Sequence, residues 1–223
     1  MAAPVFDAVS SGETGGANSL TIPHTCTGTD RGLVYDVSRY APAGQTIAGV
    51  TYAGVAMTQF GTDIGNGAVS GIVNRWVLSN PASGTNNVVI TASGSIAMCA
   101  GGVSYTNAHQ TTASLCSTFT SGTGSSNALS LNVASSSDQI VQDGFSLFAA
   151  VETVGAGQTQ RWNINNADEY GGGSTEAGSA TTTMSWSLDA SADWAHIASN
   201  VNAPAGAAGI AIPVVLKQFR SRW

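Results

Sequence analysis

The chain has 223 residues, of which 7 are Lys or Arg and 13 are Asp or Glu, so its charged fraction is only 9%. An ordinary soluble domain has roughly 25%. A hydrophobic content of 43% excludes intrinsic disorder, and no stretch approaches the roughly 20 apolar residues of a membrane span. The formal charge of −6 argues against a nucleic-acid partner, because phosphate contacts need clustered cations. We expect a globular protein with neither nucleic-acid nor membrane partners.

Strand patterns dominate the chain. Runs rich in Val, Ile, Thr and aromatic residues alternate with a period of two, and Gly, Asn, Ser and Asp clusters separate them. The predicted strands are 5–9, 19–25, 32–39, 46–60 with a bend at Ala53-Gly54, 71–78, 87–93, 97–106, 128–133, 139–151, 158–164, 181–188, 194–201 and 209–219. No window of 11 or more residues has the apolar stripe and caps of an amphipathic helix.

The turns between these runs indicate the fold class. Asn66-Gly67 stands between two strand patterns and predicts a hairpin, because both residues accept positive φ. Segments 120–127 and 171–174 are rich in Ser and Gly and are predicted to be loops. A dozen strands in one chain favour two packed antiparallel sheets. We predict an all-β, two-sheet β-sandwich of jelly-roll type in one domain, residues 1–206, followed by a C-terminal strand or arm, residues 207–223.

The last residues of the chain differ in charge from the rest. Residues 1–216 hold four arginines and no lysine against thirteen acids, a formal charge of −9, and the last seven residues add +3. One interpretation is a final strand with a solvated end. The other is a partner-binding arm, in which Phe219 and Trp223 anchor in a partner while Lys217, Arg220 and Arg222 pair with its carboxylates.

The cysteines and the N-terminus bear on the cellular compartment. The three cysteines, Cys26, Cys99 and Cys116, have neither CxxC nor zinc-ligand spacing. They are predicted to be free thiols that pack as small hydrophobes, with a Cys99–Cys116 bridge as the alternative. The N-terminus has no basic segment followed by an apolar one, so we expect no secretory signal and assembly in the cytoplasm.

Candidates for acid–base chemistry are few, and we predict no catalytic residue, metal site or cofactor. His24 and His109 are predicted to be exposed, and His196 to be half-buried or on the surface of a strand. Asp168 and Glu169 are assigned to a solvated loop, because their spacing does not match a calcium-binding loop.

The tryptophans offer the remaining candidate site. Trp76, Trp186 and Trp194 lie within alternating strands and are predicted to pack in the core. Trp162 has polar neighbours, so we select it, together with Tyr170, as a candidate glycan contact.

Four segments together carry a resemblance to a known module. They are 50–58, 73–91, 99–105 and 183–188 with 193–195, and they contain a Val-Thr-Tyr-Ala-Gly hairpin, a Trp-x-Leu-x-Asn-Pro-x-x-Gly-Thr turn and a late Ser-Trp strand. In this order they are similar to a Ser/Thr/Gly-rich β-sandwich module of bacteriophage virion structural proteins, also found in large bacterial surface proteins. The resemblance covers about residues 4–203 and departs from the pattern at Ala53, where the module usually has glycine.

What the resemblance implies is a structural role without catalysis. We expect a non-enzymatic virion protein, most simply a capsid decoration protein on the outer surface of a phage head. Its partners would be the major capsid protein or other virion proteins, and it would form a homo-oligomer. One alternative is a tail- or fibre-associated adhesion module that binds host glycans. The other is a small carbohydrate-active enzyme, which needs two carboxylates about 5–10 Å apart in a cleft.

Overall fold

The structure is a computed structural model, and it describes residues 2–40, 44–67, 71–148, 152–165 and 169–205. The strands are β1 (Val5–Cys26), β2 (Gly32–Tyr40), β3 (Ile47–Tyr52), β4 (Val55–Ala56), β5 (Thr58–Gly65), β6 (Ile72–Ser79), β7 (Gly84–Thr106), β8 (Cys116–Ala134), β9 (Gln139–Leu147), β10 (Glu152–Val154), β11 (Thr159–Asn165), β12 (Tyr170–Ala177) and β13 (Thr181–Asn202). One short helix, α1 (Thr112–Leu115), is found in these described ranges. No helix within them is long and apolar enough to cross a membrane.

The strands form two antiparallel sheets, which confirms the all-β prediction. The first sheet has the order β4-β3-β7-β2-β6-β5, and β1 pairs along the other side of β7. The second has the order β10-β13-β9-β12-β11, and β8 pairs along the other side of β13. Every strand of the first sheet therefore precedes every strand of the second in the chain.

Several strands are longer than their sequence patterns predict. Segments 5–9 and 19–25 are two parts of β1, 87–93 and 97–106 are two parts of β7, and 181–188 and 194–201 are two parts of β13. The predicted loops at 120–127 and 171–174 are wrong, because they lie within β8 and β12. Strand β12 needs glycine here, since a Cβ at Gly172 would collide with the Phe145 ring.

Both long strand pairs are irregular at the same place. The register shifts at Asn18 of β1, which lies opposite four residues of the partner strand, 92–95. It shifts likewise at Asn127 of β8, which lies opposite residues 188–191. Bulges of this kind bend the strand that contains them.

The apolar core has three layers. One consists of side chains from the first sheet alone, including Leu33 and Tyr35 with Ile90. Another consists of side chains from the second sheet alone, including Phe145 and Trp186. The third lies between the sheets and combines residues of both, namely Val34, Val77, Val103, Tyr105, Cys116 and Val201, with Val73, Ala195 and Ile197 beside them.

Candidate functional site

The predicted partner-binding arm lies outside the described residues. Lys217, Phe219, Arg220, Arg222 and Trp223 all belong to the segment after Ala205. Their role as an anchor therefore stays a prediction.

The predicted glycan contact does not have the required exposure. Trp162 is only 4% exposed, and its ring packs over Gly101 of β7, where a Cβ would collide with it. Tyr170 is half-buried and packs against the core of the second sheet. Trp162 as an exposed sugar-stacking platform is therefore wrong. Its polar neighbours in sequence misled the prediction, because the Trp162 side chain itself enters the space between the sheets.

A buried ion pair joins the two sheets. Asp36 of β2 and Arg75 of β6 are direct cross-strand neighbours, and neither side chain is exposed. The guanidinium donates from Nε and Nη2 to the two carboxylate oxygens, at 2.7 and 2.8 Å. Its Nη1 reaches the second sheet, where it donates to Gln142 O at 2.9 Å and Ser199 Oγ at 2.6 Å. The side chain therefore links both sheets through one cation.

The electrostatics of this pair follow from burial and mutual attraction. Burial raises the pKa of the Asp36 carboxyl, and Arg75 opposes that rise. Burial also disfavours the charged form of Arg75, but Asp36 outweighs it, and the pKa of Arg75 is raised. The bidentate geometry is that of a guanidinium with a carboxylate.

A second buried network surrounds Asp143 of β9. Its carboxylate accepts from the backbone N and the Oγ of Ser174, both at 2.7 Å, and from Trp186 Nε1 at 2.8 Å. His196 Nε2 lies 2.9 Å from the same carboxylate, and His196 is completely buried, so its predicted surface position is wrong. Ser174 bonds the aspartate and not the histidine, so the set lacks the order of a nucleophilic triad.

A third buried group is the carboxyl of Glu169, which the sequence assigned to a solvated loop. That assignment is wrong, because Glu169 has no exposed surface. Ser38 Oγ donates to Glu169 Oε1 at 2.6 Å, and Ser146 Oγ donates to the same oxygen. Burial raises the pKa of Glu169 to about 8 despite these bonds, so the side chain is uncharged at neutral pH.

His24 and the three cysteines are also internal. His24 was predicted to be exposed but is 1% exposed, and burial lowers its pKa to about 4. Its Nδ1 lies 2.7 Å from Ser10 Oγ. The three cysteines are free and buried, which confirms the thiol prediction and excludes the Cys99–Cys116 bridge in this structure. Burial raises the pKa of Cys116 to about 11, which keeps its thiol protonated.

Two open clefts contain the more accessible polar groups. One, of about 300 Å³, is lined by Arg161, Thr175 and Glu176 among others. The other, of about 360 Å³, is lined by His109, Asp138 and neighbouring residues. Each has a single carboxylate in its lining, whereas glycoside hydrolysis needs a pair. Neither cleft thus has the arrangement that the enzymatic alternative requires.

Metal-ligand clustering and external comparisons add no further assignment. Within the part of the chain that the structure describes, no three His, Cys, Asp or Glu side chains are grouped so that they would hold a metal ion. Comparison of the chain with protein-family models, with curated proteins and with solved structures gives no match.

Proposed function

We propose that this protein is a non-enzymatic structural component of a bacteriophage virion, most simply a capsid decoration protein bound to the outer surface of the head. The observation that carries the proposal is that the buried ionisable groups bond to other parts of the same fold. Asp36, Arg75, Asp143 and Glu169 bond to other parts of the same fold and have no exposed surface. Such groups stabilise a rigid body and are not available to a substrate.

The mechanical requirements of a decoration protein agree with this architecture. Such a protein binds across joints between capsid subunits, and its binding free energy adds to the free energy needed to separate them. Three apolar layers and a cation that bonds both sheets support this role, because closely packed protein interiors have low compressibility.

The finer features of the fold belong to the same proposal. In each sheet the first strand pairs with the last and the second with the penultimate, β1 with β7 and β2 with β6, then β8 with β13 and β9 with β12. This nesting of early and late strands supports a jelly-roll type of sandwich. We further propose that residues 1–206 are one domain and that 207–223 form the arm that anchors to capsid proteins.

Quantitative mass spectrometry of purified particles tests the proposed location. Hundreds of copies per particle are expected for a head-surface lattice. A few to a few dozen copies would place the protein in the tail or fibre, and absence from particles would overturn the virion role.

Particle binding by a chain lacking residues 217–223 tests the arm separately. The matched control is the full chain with Phe219→Ala and Trp223→Ala, which keeps the cations. Loss of binding on deletion, with partial loss in the control, is expected. Unchanged binding by the truncated chain would contradict the anchoring role.

A further inference from the structure

The two sheets repeat one topology. In order along the chain, β1, β2, β3, β5, β6 and β7 occupy the same positions in the first sheet as β8, β9, β10, β11, β12 and β13 in the second. Each sheet begins and ends with a long strand, and these two strands pair with each other. Only β4 lacks a counterpart among the described strands.

The contacts between the two sheets also obey this equivalence: each contact between two strands recurs between their counterparts. Strand β1 packs against β11, and its counterpart β8 packs against β5. Strand β7 packs against β12, and its counterpart β13 packs against β6. Strands β2 and β9, which correspond to each other, are in mutual contact. This pattern is that of an isologous interface around an approximate two-fold axis between β2 and β9.

A sequence repeat supports the equivalence of β1 and β8. The first contains Ser11-Gly-Glu-Thr-Gly-Gly-Ala-Asn-Ser-Leu-Thr-Ile22, and the second contains Ser121-Gly-Thr-Gly-Ser-Ser-Asn-Ala-Leu-Ser-Leu131. With Glu13 left unaligned, six of the eleven positions are identical. The shared asparagine is the residue at which the register shifts in both strands. The alignment continues to Pro23 in β1 and Asn132 in β8.

Both strands are sheet edges, but they differ in how the edge is protected. Within the described residues, β1 pairs only with β7 and β8 only with β13. Strand β1 contains Asp7, Glu13 and Pro23, whereas the 19 residues of β8 include no charged residue and no proline. Charges and prolines are the usual means of preventing an edge from pairing with another chain. Of two equivalent edges, only β8 lacks them.

The contrast is sharpest at Pro23 and Asn132. Pro23 faces Asn87 of β7, and Asn132 faces Thr183 of β13 at the corresponding place in the ladder. Because proline has no N–H, the Pro23 position of β1 donates no backbone hydrogen bond to β7. By equivalence, the backbone N–H of Asn132 in β8 points away from β13. Two side chains bond to backbone carbonyls of β8 and mark the ends of its unpaired stretch. Asn66 Nδ2 donates to Gly124 O, and Asn200 Nδ2 donates to Ala134 O. Residues 128–133 lie between them.

We propose that this stretch of β8 binds the same stretch of a second copy of the chain, in antiparallel register, so that the second sheets of two copies become continuous. A second copy meets no charge repulsion at this edge, although the rest of the chain is acidic. Residues 1–216 have a formal charge of −9, so two copies repel each other wherever carboxylates face one another. The β8 edge of either copy contributes no carboxylate. The proposal is independent of the virion role, because it concerns the isolated protein.

Sedimentation velocity of the purified full chain over about 5–200 μM tests the proposal. The wild type is expected to dimerise, and Asn132→Pro to weaken dimerisation about 5- to 150-fold, because each copy loses one backbone hydrogen bond. Asn132→Ser keeps the N–H and is the matched control. The fold should survive, since the equivalent position of β1 already holds a proline.

Ser130→Lys provides a second test that does not depend on proline. Its side chain is exposed, and lysine on an edge strand opposes pairing. It is also expected to shift the protein toward monomer. A wild type that remains monomeric over the whole concentration range would overturn the proposal, and so would unchanged dimerisation in both Asn132→Pro and Ser130→Lys.

Discussion

Replacement of Arg75 by Met tests the ion pair that links the two sheets. Methionine fills part of the same volume but leaves Asp36 fully buried without its cation. Of the side chains in the described ranges, Gln142 alone would still donate to the carboxylate, from Nε2 at 3.2 Å. Removing one partner from a buried pair costs about 3–5 kcal/mol, a large part of the 5–15 kcal/mol that stabilises a typical domain.

Urea unfolding followed by tryptophan fluorescence measures this loss. The variant should also recover stability in acid, because the raised pKa of an unpaired Asp36 lets it bind a proton in the folded state. A group whose pKa is raised on folding stabilises the fold below its pKa in the unfolded chain, and this stabilisation is lost as pH rises. The loss in unfolding free energy of Arg75→Met should therefore be smaller at about pH 4 than at about pH 7.

Arg39→Met is the matched control. Arg39 is itself only 3% exposed, but its partner Asp63 has a side chain that is 36% exposed and stays solvated when Arg39 is removed. A smaller loss than for Arg75→Met is expected, because no fully buried carboxylate is left without its cation. Equal losses in the two variants, or a loss below about 1 kcal/mol for Arg75→Met, would refute the reasoning.

Three further outcomes are expected. In the wild type, the unfolding free energy should fall between about pH 5 and pH 8, because folded Glu169 keeps its proton up to a pKa of about 8 while the unfolded chain releases it. Glu169→Gln should make this fall smaller. Equal pH dependence of the two proteins in urea titrations would contradict this. Gly101→Val should destabilise by about 1–3 kcal/mol through collision with the Trp162 ring, whereas Gly49→Val, which has open space, should change the midpoint of thermal unfolding little. The three buried thiols should react with a thiol reagent only after urea is added, and fast labelling of the native protein would contradict their burial.

Alternation in the sequence was sufficient to predict strand content and much of the core. Trp76, Trp186 and Trp194 are buried, as their positions in alternating runs predicted. A bend within strand 46–60 at Ala53-Gly54 was also predicted, and there both residues have positive φ and form the turn between β3 and β4. Such features depend on local pattern and backbone preference alone, so a single sequence contains them.

The buried polar groups were missed because their partners are distant in sequence. Nothing in the sequence near Asp36 indicates its partner, because Arg75 lies on another strand and becomes adjacent only through the register of β2 and β6. His196 and Asp143 likewise meet through the pairing of β13 with β9. The shared topology of the two edges does have a local sequence signal, the Ser-Gly and Asn-x-Leu repeat of β1 and β8.

The separation of the two sheets along the chain has a consequence for folding kinetics. Among the described strands, no ladder joins one before residue 107 to one after it, so the first sheet can close while the second half is still on the ribosome. The first sheet cannot form completely until β7 has been synthesised, because β1 pairs with β7, the last strand of that sheet. Contacts between strands so distant in sequence make folding slow. Until β9 and β13 arrive, the apolar face formed by Val34, Val77 and Val103 is uncovered. Docking of the second sheet should therefore appear as a separate, later phase, and Arg75 should acquire its Ser199 bond only in that phase.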